Sequence, residues 1–160
     1  SNVGIEGGTV VGNNRVGGLV GLNTSYSPIE NAYTTGDVEG NEYVGGLVGW
    51  NGPTKSNHAG SGIIKNAYAT GGVIGESHVG GVVGGQITRA NVDTVFALNS
   101  SVNGSSHVGQ AIGSSSGNGK SIYVLSHLNG ISRYATDVLS KEDVFSQSVY
   151  ENASFDFENT

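Results

Sequence analysis

The sequence predicts an all-β chain, folded as a right-handed parallel β-helix of four to five coils with a short helical and strand cap at its C-terminal end. Three recurring blocks predict this fold. The first is Val-Gly-Gly-Leu-Val-Gly at residues 16–21 and 44–49, which returns as Val-Gly-Gly-Val-Val-Gly at 79–84 and, decayed, as Val-Gly-Gln-Ala-Ile-Gly at 108–113. Self-similarity at a period of roughly 20 to 50 residues is typical of solenoids, in which each repeat buries its apolar side against its neighbours.

The other two blocks keep register with the hexapeptide. Thr-Gly-Asp-Val-Glu-Gly at 35–40 returns as Thr-Gly-Gly-Val-Ile-Gly at 70–75, with looser copies at 7–12 and 99–104. Ile-Glu-Asn-Ala-Tyr at 29–33 returns as Ile-Lys-Asn-Ala-Tyr at 64–68 and is blurred at 92–96 and 120–123. Three blocks recurring in one order suit successive coils of one stack.

Each block has the composition of a short strand. Val, Ile, Thr and Tyr alternate with Gly, Asn and Ser, which favour turns. Glycine makes up 28 of the 160 residues, and a helix interior tolerates glycine poorly. We therefore expect coils about 4.8 Å apart, in which equivalent side chains stack in rows. Two rows are expected in the core: Val16, Val44, Val79 and Val108, and Tyr33, Tyr68 and Phe96.

One interval is longer than the others. The first residues of the hexapeptides are 28 residues apart from Val16 to Val44, 35 from Val44 to Val79, and 29 from Val79 to Val108. The surplus falls in the polar stretch 52–61, which has no strand character. Insertions of this kind form loops on one face of a solenoid, and this one is either a tolerated surface loop or a binding loop.

The C-terminal residues leave the pattern. We assign residues 1–128 to the solenoid and 129–160 to a capping segment. Ser140 as N-cap with Asp143 three positions later predicts a short helix over 141–147, which would present Val144 and Phe145 to the stack. Phe155 and Phe157 alternate with polar residues and suit a closing strand. At the other end the sequence starts within a repeat, which suggests either a longer repeat array or end-to-end stacking of copies into fibres.

The composition of the chain excludes several classes of function. The net charge is −6 and the seven Lys and Arg are scattered, so no basic stripe for nucleic acid exists. The absence of cysteine excludes disulfides and thiol catalysis. No apolar run reaches the roughly 18 residues of a membrane span.

The candidate chemical residues do not form a site. His78 and His107 hold the slot that Arg15 and Tyr43 hold on earlier coils, so two imidazoles would stack, but the row offers no third metal ligand. Asp37, Glu39, Glu42 and Glu76 are the only acids near one another inside the repeats, and Asp37 and Glu39 have no acidic equivalents on the next coil. The Gly-Gly steps lack the Lys-Ser/Thr of a phosphate-binding loop. We therefore predict no catalytic, cofactor-binding or metal-binding residues, and no cofactor.

The three blocks together resemble the GLUG motif repeat, over about residues 2–113. The segment from Val138 to Phe157 also resembles the stretch that commonly follows such an array. The resemblance implies a bacterial cell-surface or secreted protein, because the family includes adhesins and regions of immunoglobulin A1-cleaving metallopeptidases. The His-Glu-x-x-His zinc motif of those peptidases is absent from this sequence, so no protease activity carries over.

From this resemblance we expect a non-catalytic structural or adhesive module, extracellular or on the cell surface, serving as a stiff spacer or binding platform. Its expected partners are neighbouring repeats or domains of a larger protein, a host or matrix glycan or protein, or further copies of itself. The alternative is a carbohydrate-active β-helix enzyme, a polysaccharide lyase or hydrolase, since parallel β-helices also carry such activities.

Overall fold

A computed structural model describes residues 2–24, 27–54, 62–127, 134–144 and 146. Within these ranges the chain forms eighteen strands and one short helix. The strands are β1 (Val3–Ile5), β2 (Thr9–Val11), β3 (Asn14–Gly17), β4 (Val20–Asn23), β5 (Pro28–Thr34), β6 (Asp37–Glu39), β7 (Glu42–Gly45), β8 (Val48–Asn51), β9 (Ile63–Ala69), β10 (Val73–Ile74), β11 (Ser77–Gly80), β12 (Val83–Gln86), β13 (Asn91–Ala97), β14 (Val102–Asn103), β15 (Ser106–Gly109), β16 (Ile112–Ser115), β17 (Asn118–Leu125) and β18 (Asp137–Leu139), and the helix is α1 (Lys141–Val144).

The strands stack into four parallel sheets, one on each face of a coil. Sheet A holds β1, β5, β9, β13, β17 and β18 in that order, and the other three sheets hold four strands each. Sheet B runs β2, β6, β10 and β14; sheet C runs β3, β7, β11 and β15; and sheet D runs β4, β8, β12 and β16. Each strand therefore pairs with the equivalent strand of the next coil, and the predicted parallel β-helix is confirmed.

The hexapeptide forms two strands, although it looks like one block in the sequence. Its first half ends β7 and its second half begins β8, with the chain bending at Gly46 and Leu47. Glycines allow the two strands to pack almost backbone to backbone. A Cβ added at Gly45 would lie 2.6 Å from the Gly84 nitrogen of the next coil, far inside contact distance. The repeated glycines therefore set the thickness of the coil between sheets C and D.

The valine row lies in the core as expected. Val16, Val44, Val79 and Val108 are in register on sheet C, and the first three are at most 6% exposed. The remaining core comes mainly from Leu47, Val48, Ile64, Val73, Val82, Val83 and Ile122, each fully or almost fully buried.

The aromatic row is also in register, but it points outward, so its predicted burial is wrong for two members. Tyr33 and Tyr68 are half-buried, and only Phe96 is 0% exposed. The reason is Asn66, whose φ of 49° bends the strand and leaves it out of the pairing. Alternation restarts after it, so Ala67 turns inward and Tyr68 outward. Asn31 and Thr94 act in the same way on the adjacent coils.

The described part of the C-terminal segment agrees with the predicted helix start. The Ser140 hydroxyl accepts a hydrogen bond from the Asp143 backbone N–H at 3.3 Å, and the Asp143 carboxylate accepts one from the Ser140 N–H at 2.8 Å. This reciprocal pair begins α1 at Lys141. Just before it, β18 pairs with β17 and extends sheet A. The predicted roles of Phe145, Phe155 and Phe157 lie outside the described residues, and the division at residues 128 and 129 stays a prediction.

The insertion at 52–61 is described only at its start, where Gly52 has a φ of 145°. The interpretation of residues 55–61 as a surface or binding loop lies outside the described residues. In the described ranges no helix is long and apolar enough to cross a membrane.

Candidate functional site

The residue just before the repeated valine points outward on each coil, and on three successive coils these residues form a stack of rings. The His78 and His107 rings are parallel, with centroids 4.5 Å apart and planes 6° apart. Tyr43 continues the stack on the other side of His78, also at 4.5 Å. Arg15, Tyr43, His78 and His107 all have φ values between 51° and 56°, so the backbone makes the same left-handed step at this slot on every coil. The predicted stacking of the two histidines is thus observed.

Neighbouring side chains hold His78 in place. Its Nδ1 lies 2.9 Å from the Ser77 hydroxyl and 4.0 Å from the Glu42 carboxylate. Partial burial and the adjacent His107 ring lower the pKa of His78, against an opposing effect of Glu42. The Glu42 carboxylate also accepts a hydrogen bond from Asn14 on the preceding coil at 3.1 Å. Across the described ranges, no three metal-ligating side chains come together.

Trp50 extends this aromatic surface onto sheet D. Its ring meets Tyr43 edge-on, with centroids 4.6 Å apart, and its indole N–H donates to the Pro53 carbonyl at 3.4 Å. The slot equivalent to Trp50 on the next coil is Gly85, and a Cβ there would lie 3.0 Å from the indole ring. The small residue at Gly85 leaves room for the ring.

Two of the four acids singled out in the sequence, Asp37 and Glu42, bond to neighbouring coils. Asp37 accepts a hydrogen bond from the Gly72 N–H at 2.7 Å, and Glu42 accepts the bond from Asn14. Asp37 and Glu39 lie on β6, and their partners across the sheet are Thr9 and Val11 on one side. These positions supply contacts between coils, and the pairing brings no second acid opposite Asp37 or Glu39 there.

A different set of charges was missed by the sequence reasoning. Glu30, Lys65, Asp93 and Lys120 hold equivalent positions on β5, β9, β13 and β17, so acid and base alternate along sheet A. The Lys120 ammonium lies 3.1 Å from the Asp93 carboxylate, whose side chain is only 10% exposed. The aligned Ile-Glu-Asn-Ala-Tyr blocks contained this signal, because the charge is the second residue of the first three blocks and Lys120 begins the fourth.

A polar row runs through the interior where β4, β8, β12 and β16 end. Asn23, Asn51, Gln86 and Ser115 are in register there. The Asn23 amide donates to the Asn51 Oδ1 at 3.0 Å, and the Gln86 amide donates to the Ser115 hydroxyl at 2.8 Å. The Asn51 Nδ2 and the Gln86 Oε1, on adjacent coils, each lack a partner among the described residues. On these two adjacent coils, one side-chain donor and one side-chain acceptor therefore have no hydrogen bond to each other or to another described residue.

The row ends at a hollow of about 400 Å³ beside Ser115. Tyr134 stands at its wall, where the Tyr134 hydroxyl donates to the Ser115 carbonyl at 3.1 Å and accepts from the Ser115 N–H at 3.2 Å. Thr136 also lines the hollow, and its hydroxyl accepts a hydrogen bond from the Ile122 N–H at 2.9 Å. No feature of the sequence pattern pointed to this hollow, because residues 134–136 come after the repeats.

A family model for the GLUG motif matches residues 12–39. The chain carries a GLUG motif. The matched segment contains β3, β4, β5 and β6, which is one strand from each of the four sheets and therefore one complete coil. The coils that follow repeat this strand order, so the structural repeat continues beyond the matched GLUG motif. A comparison with curated proteins and one with solved structures found no match for the chain.

Proposed function

We propose that the chain is a non-catalytic structural module of a bacterial cell-surface or secreted protein, working outside the cell as a stiff spacer and binding platform. One observation supports this most directly: the four complete coils, β1–β4 through β13–β16, pair in register with one another on all four faces. A rod held by continuous ladders resists bending, because any bend must break backbone hydrogen bonds on at least one face. The GLUG motif supports a repeat module of a larger protein.

Chain length provides the test of the spacer role. Inserting successive extra copies of residues 12–39 between residues 39 and 40 should lengthen the particle by about 4.8 Å for each copy, because each adds one coil. Small-angle X-ray scattering on the series measures this increase. A maximum dimension that grows in direct proportion to copy number supports a stiff spacer. Growth with the square root of copy number indicates a flexible linker and contradicts the proposal.

The proposed location is tested on intact cells of the source organism. Antibodies raised against the chain should label the surface of unpermeabilised cells or detect the protein in the culture medium. Labelling only after permeabilisation would contradict an extracellular role. Incubation of the purified chain with a polysaccharide panel should release no reducing ends, whereas reproducible release would favour the enzyme alternative.

End-to-end contact between copies is the proposed mode of self-association. At the first coil Val3, Ile5 and Val11 are 41%, 38% and 69% exposed, so apolar side chains lie on the edge strands β1 and β2. Light scattering over a concentration series should show growing rods, and Val3→Lys with Ile5→Lys should abolish them. Particles that stay monomeric at all concentrations would exclude the fibre.

A further inference from the structure

The hollow beside Ser115 lies where the stack is incomplete. Sheets B, C and D end at β14, β15 and β16, while sheet A continues through β17 and β18. Residues 134–136 line one part of a space of about 400 Å³ at this end of the stack. This volume lies within the range of roughly 300 to 1,000 Å³ that is typical of small-molecule sites.

The lining is polar and uncharged. Gln86, Ser115, Asn118 and Thr136 contribute amide and hydroxyl groups, and none of the lining residues is Asp, Glu, Lys, Arg or His. A charged ligand would lose water there without gaining a counter-ion, which is unfavourable. A neutral ligand with several hydroxyl or amide groups would find both donors and acceptors.

The hollow offers little apolar surface, and one of its polar groups is held in a fixed orientation. Ile112 is 1% exposed and lies against it, and the Tyr134 ring is held by two hydrogen bonds at its hydroxyl. A sugar ring presents hydroxyl groups around its rim and C–H groups on its faces. The neutral amide and hydroxyl groups that line the hollow match the hydroxyl rim of such a ligand.

We infer that the hollow is a binding site for a neutral saccharide of one or two rings. This deepens the binding-platform part of the proposed function and rests on it. The spacer part is tested independently by chain length, so failure of either experiment leaves the other result standing.

The experiment is a titration of the ¹⁵N-labelled chain with neutral sugars, followed by amide chemical shifts. The probes are glucose, galactose, mannose, N-acetylglucosamine and their common disaccharides, with glucuronate as the charged comparison. At least one neutral sugar should shift the side-chain amides of Gln86 and Asn118 with saturable, millimolar affinity. Glucuronate should shift them at least about tenfold less at equal concentration.

Two variants and a control locate the site. Ala135→Phe places a ring in the hollow and should weaken binding about tenfold or more, whereas Val138→Phe, at a position 47% exposed, should leave it unchanged. Asn118→Ala serves as the second variant because its side chain is exposed and its removal leaves the core intact. It should weaken binding without changing the far-ultraviolet circular dichroism. The inference is overturned if no neutral sugar shifts the Gln86 amide, if glucuronate binds equally well, or if Ala135→Phe and Asn118→Ala bind like the unmodified chain.

Discussion

Tyr68 and Phe96 occupy the same slot on adjacent coils but differ in exposure. Tyr68 is half-buried and stacks on Tyr33 with ring centroids 5.0 Å apart, while Phe96 is 0% exposed. We expect Phe96→Ala to cost about 3–5 kcal/mol of unfolding free energy, as for a buried large-to-small change. Tyr68→Ala should cost about 1–2 kcal/mol, since Tyr68 points outward and part of its side chain is already in water. Urea unfolding of both variants measures the difference, and equal losses would contradict the outward assignment of Tyr68.

The lowered pKa of His78 predicts a stability that depends on pH. The folded protein binds a proton on His78 less readily than the unfolded chain, whose imidazole titrates near about pH 6.5. Stability from this group is complete above that pH and is lost as the pH falls through it toward the folded value. Thermal unfolding between pH 7.5 and 5 should therefore show a falling midpoint. In His78→Asn, which keeps a residue tolerant of positive φ, the fall should be smaller; the matched control is His127→Asn at an exposed position. An unchanged pH profile in His78→Asn would contradict this role.

The sequence was enough to predict which residues stack in rows, but it was not enough to predict whether a row points into the core or outward. The valine row and the histidine stack follow directly from the spacing of the blocks. Simple alternation from Ile64 would turn Tyr68 inward, and the left-handed step at Asn66 reverses it. The left-handed conformation at Asn66 depends on how the backbone bends within the folded coil, and the sequence of a single block does not reveal that bend.

At the scale of elements, the contact between sheets C and D predicts that replacing different glycines by alanine will cost very different amounts of stability. A methyl group at Gly45 would meet the backbone of Gly84 and Val82, neither of which can move aside. Gly45→Ala should therefore destabilise the chain by about 3 kcal/mol. The matched control is Gly72→Ala, where the nearest atoms are side-chain oxygens at 3.2 and 3.3 Å, and the cost should stay below about 1 kcal/mol. Equal denaturation midpoints for the two variants would show that the sheets have room to separate.

The alternating charges on sheet A predict a salt-dependent effect. Lys65→Glu would place three acids in sequence, from Glu30 through residue 65 to Asp93. Like charges directly opposite each other on neighbouring strands destabilise a sheet, here by about 1 kcal/mol at low salt. Lys65→Gln removes the charge without reversing it and should cost less. The free energy of unfolding of both variants is measured at low and at high sodium chloride. If the stability lost in Lys65→Glu is the same at both salt concentrations, charge repulsion is excluded as its cause.

The element-level organisation was only partly evident from the sequence. Strand-like blocks at a constant interval were enough to predict a parallel solenoid. The division of Val-Gly-Gly-Leu-Val-Gly into two strands was not, because the bend at Gly46 and Leu47 is fixed by packing against Gly81 and Val82 of the next coil. The hollow was invisible for a similar reason: it forms between the last coil and residues far from it in the repeat pattern.

For the whole molecule, the stack predicts a gradient of backbone protection. Strands β7 to β13 each have a neighbour on both sides, whereas β2, β3 and β4 have one. Val44, Val48, Val79 and Val83 are also 0% exposed. Hydrogen exchange followed by NMR should therefore be slowest for residues 44–48 and 79–83 and fastest in β1 and β2. Uniform exchange along the chain would mean that the stack opens only as one unit.

The left-handed slot before each repeated valine has a practical consequence. Arginine, tyrosine and two histidines all adopt the same backbone there, so the neighbouring strands dictate the conformation and the side chain does not. Chemical identity at this position is thus decoupled from the fold. In the Tyr43–His78–His107 stack the ring centroids are 4.5 Å apart. Side chains introduced at this position on successive coils would therefore be displayed on the surface at that regular spacing.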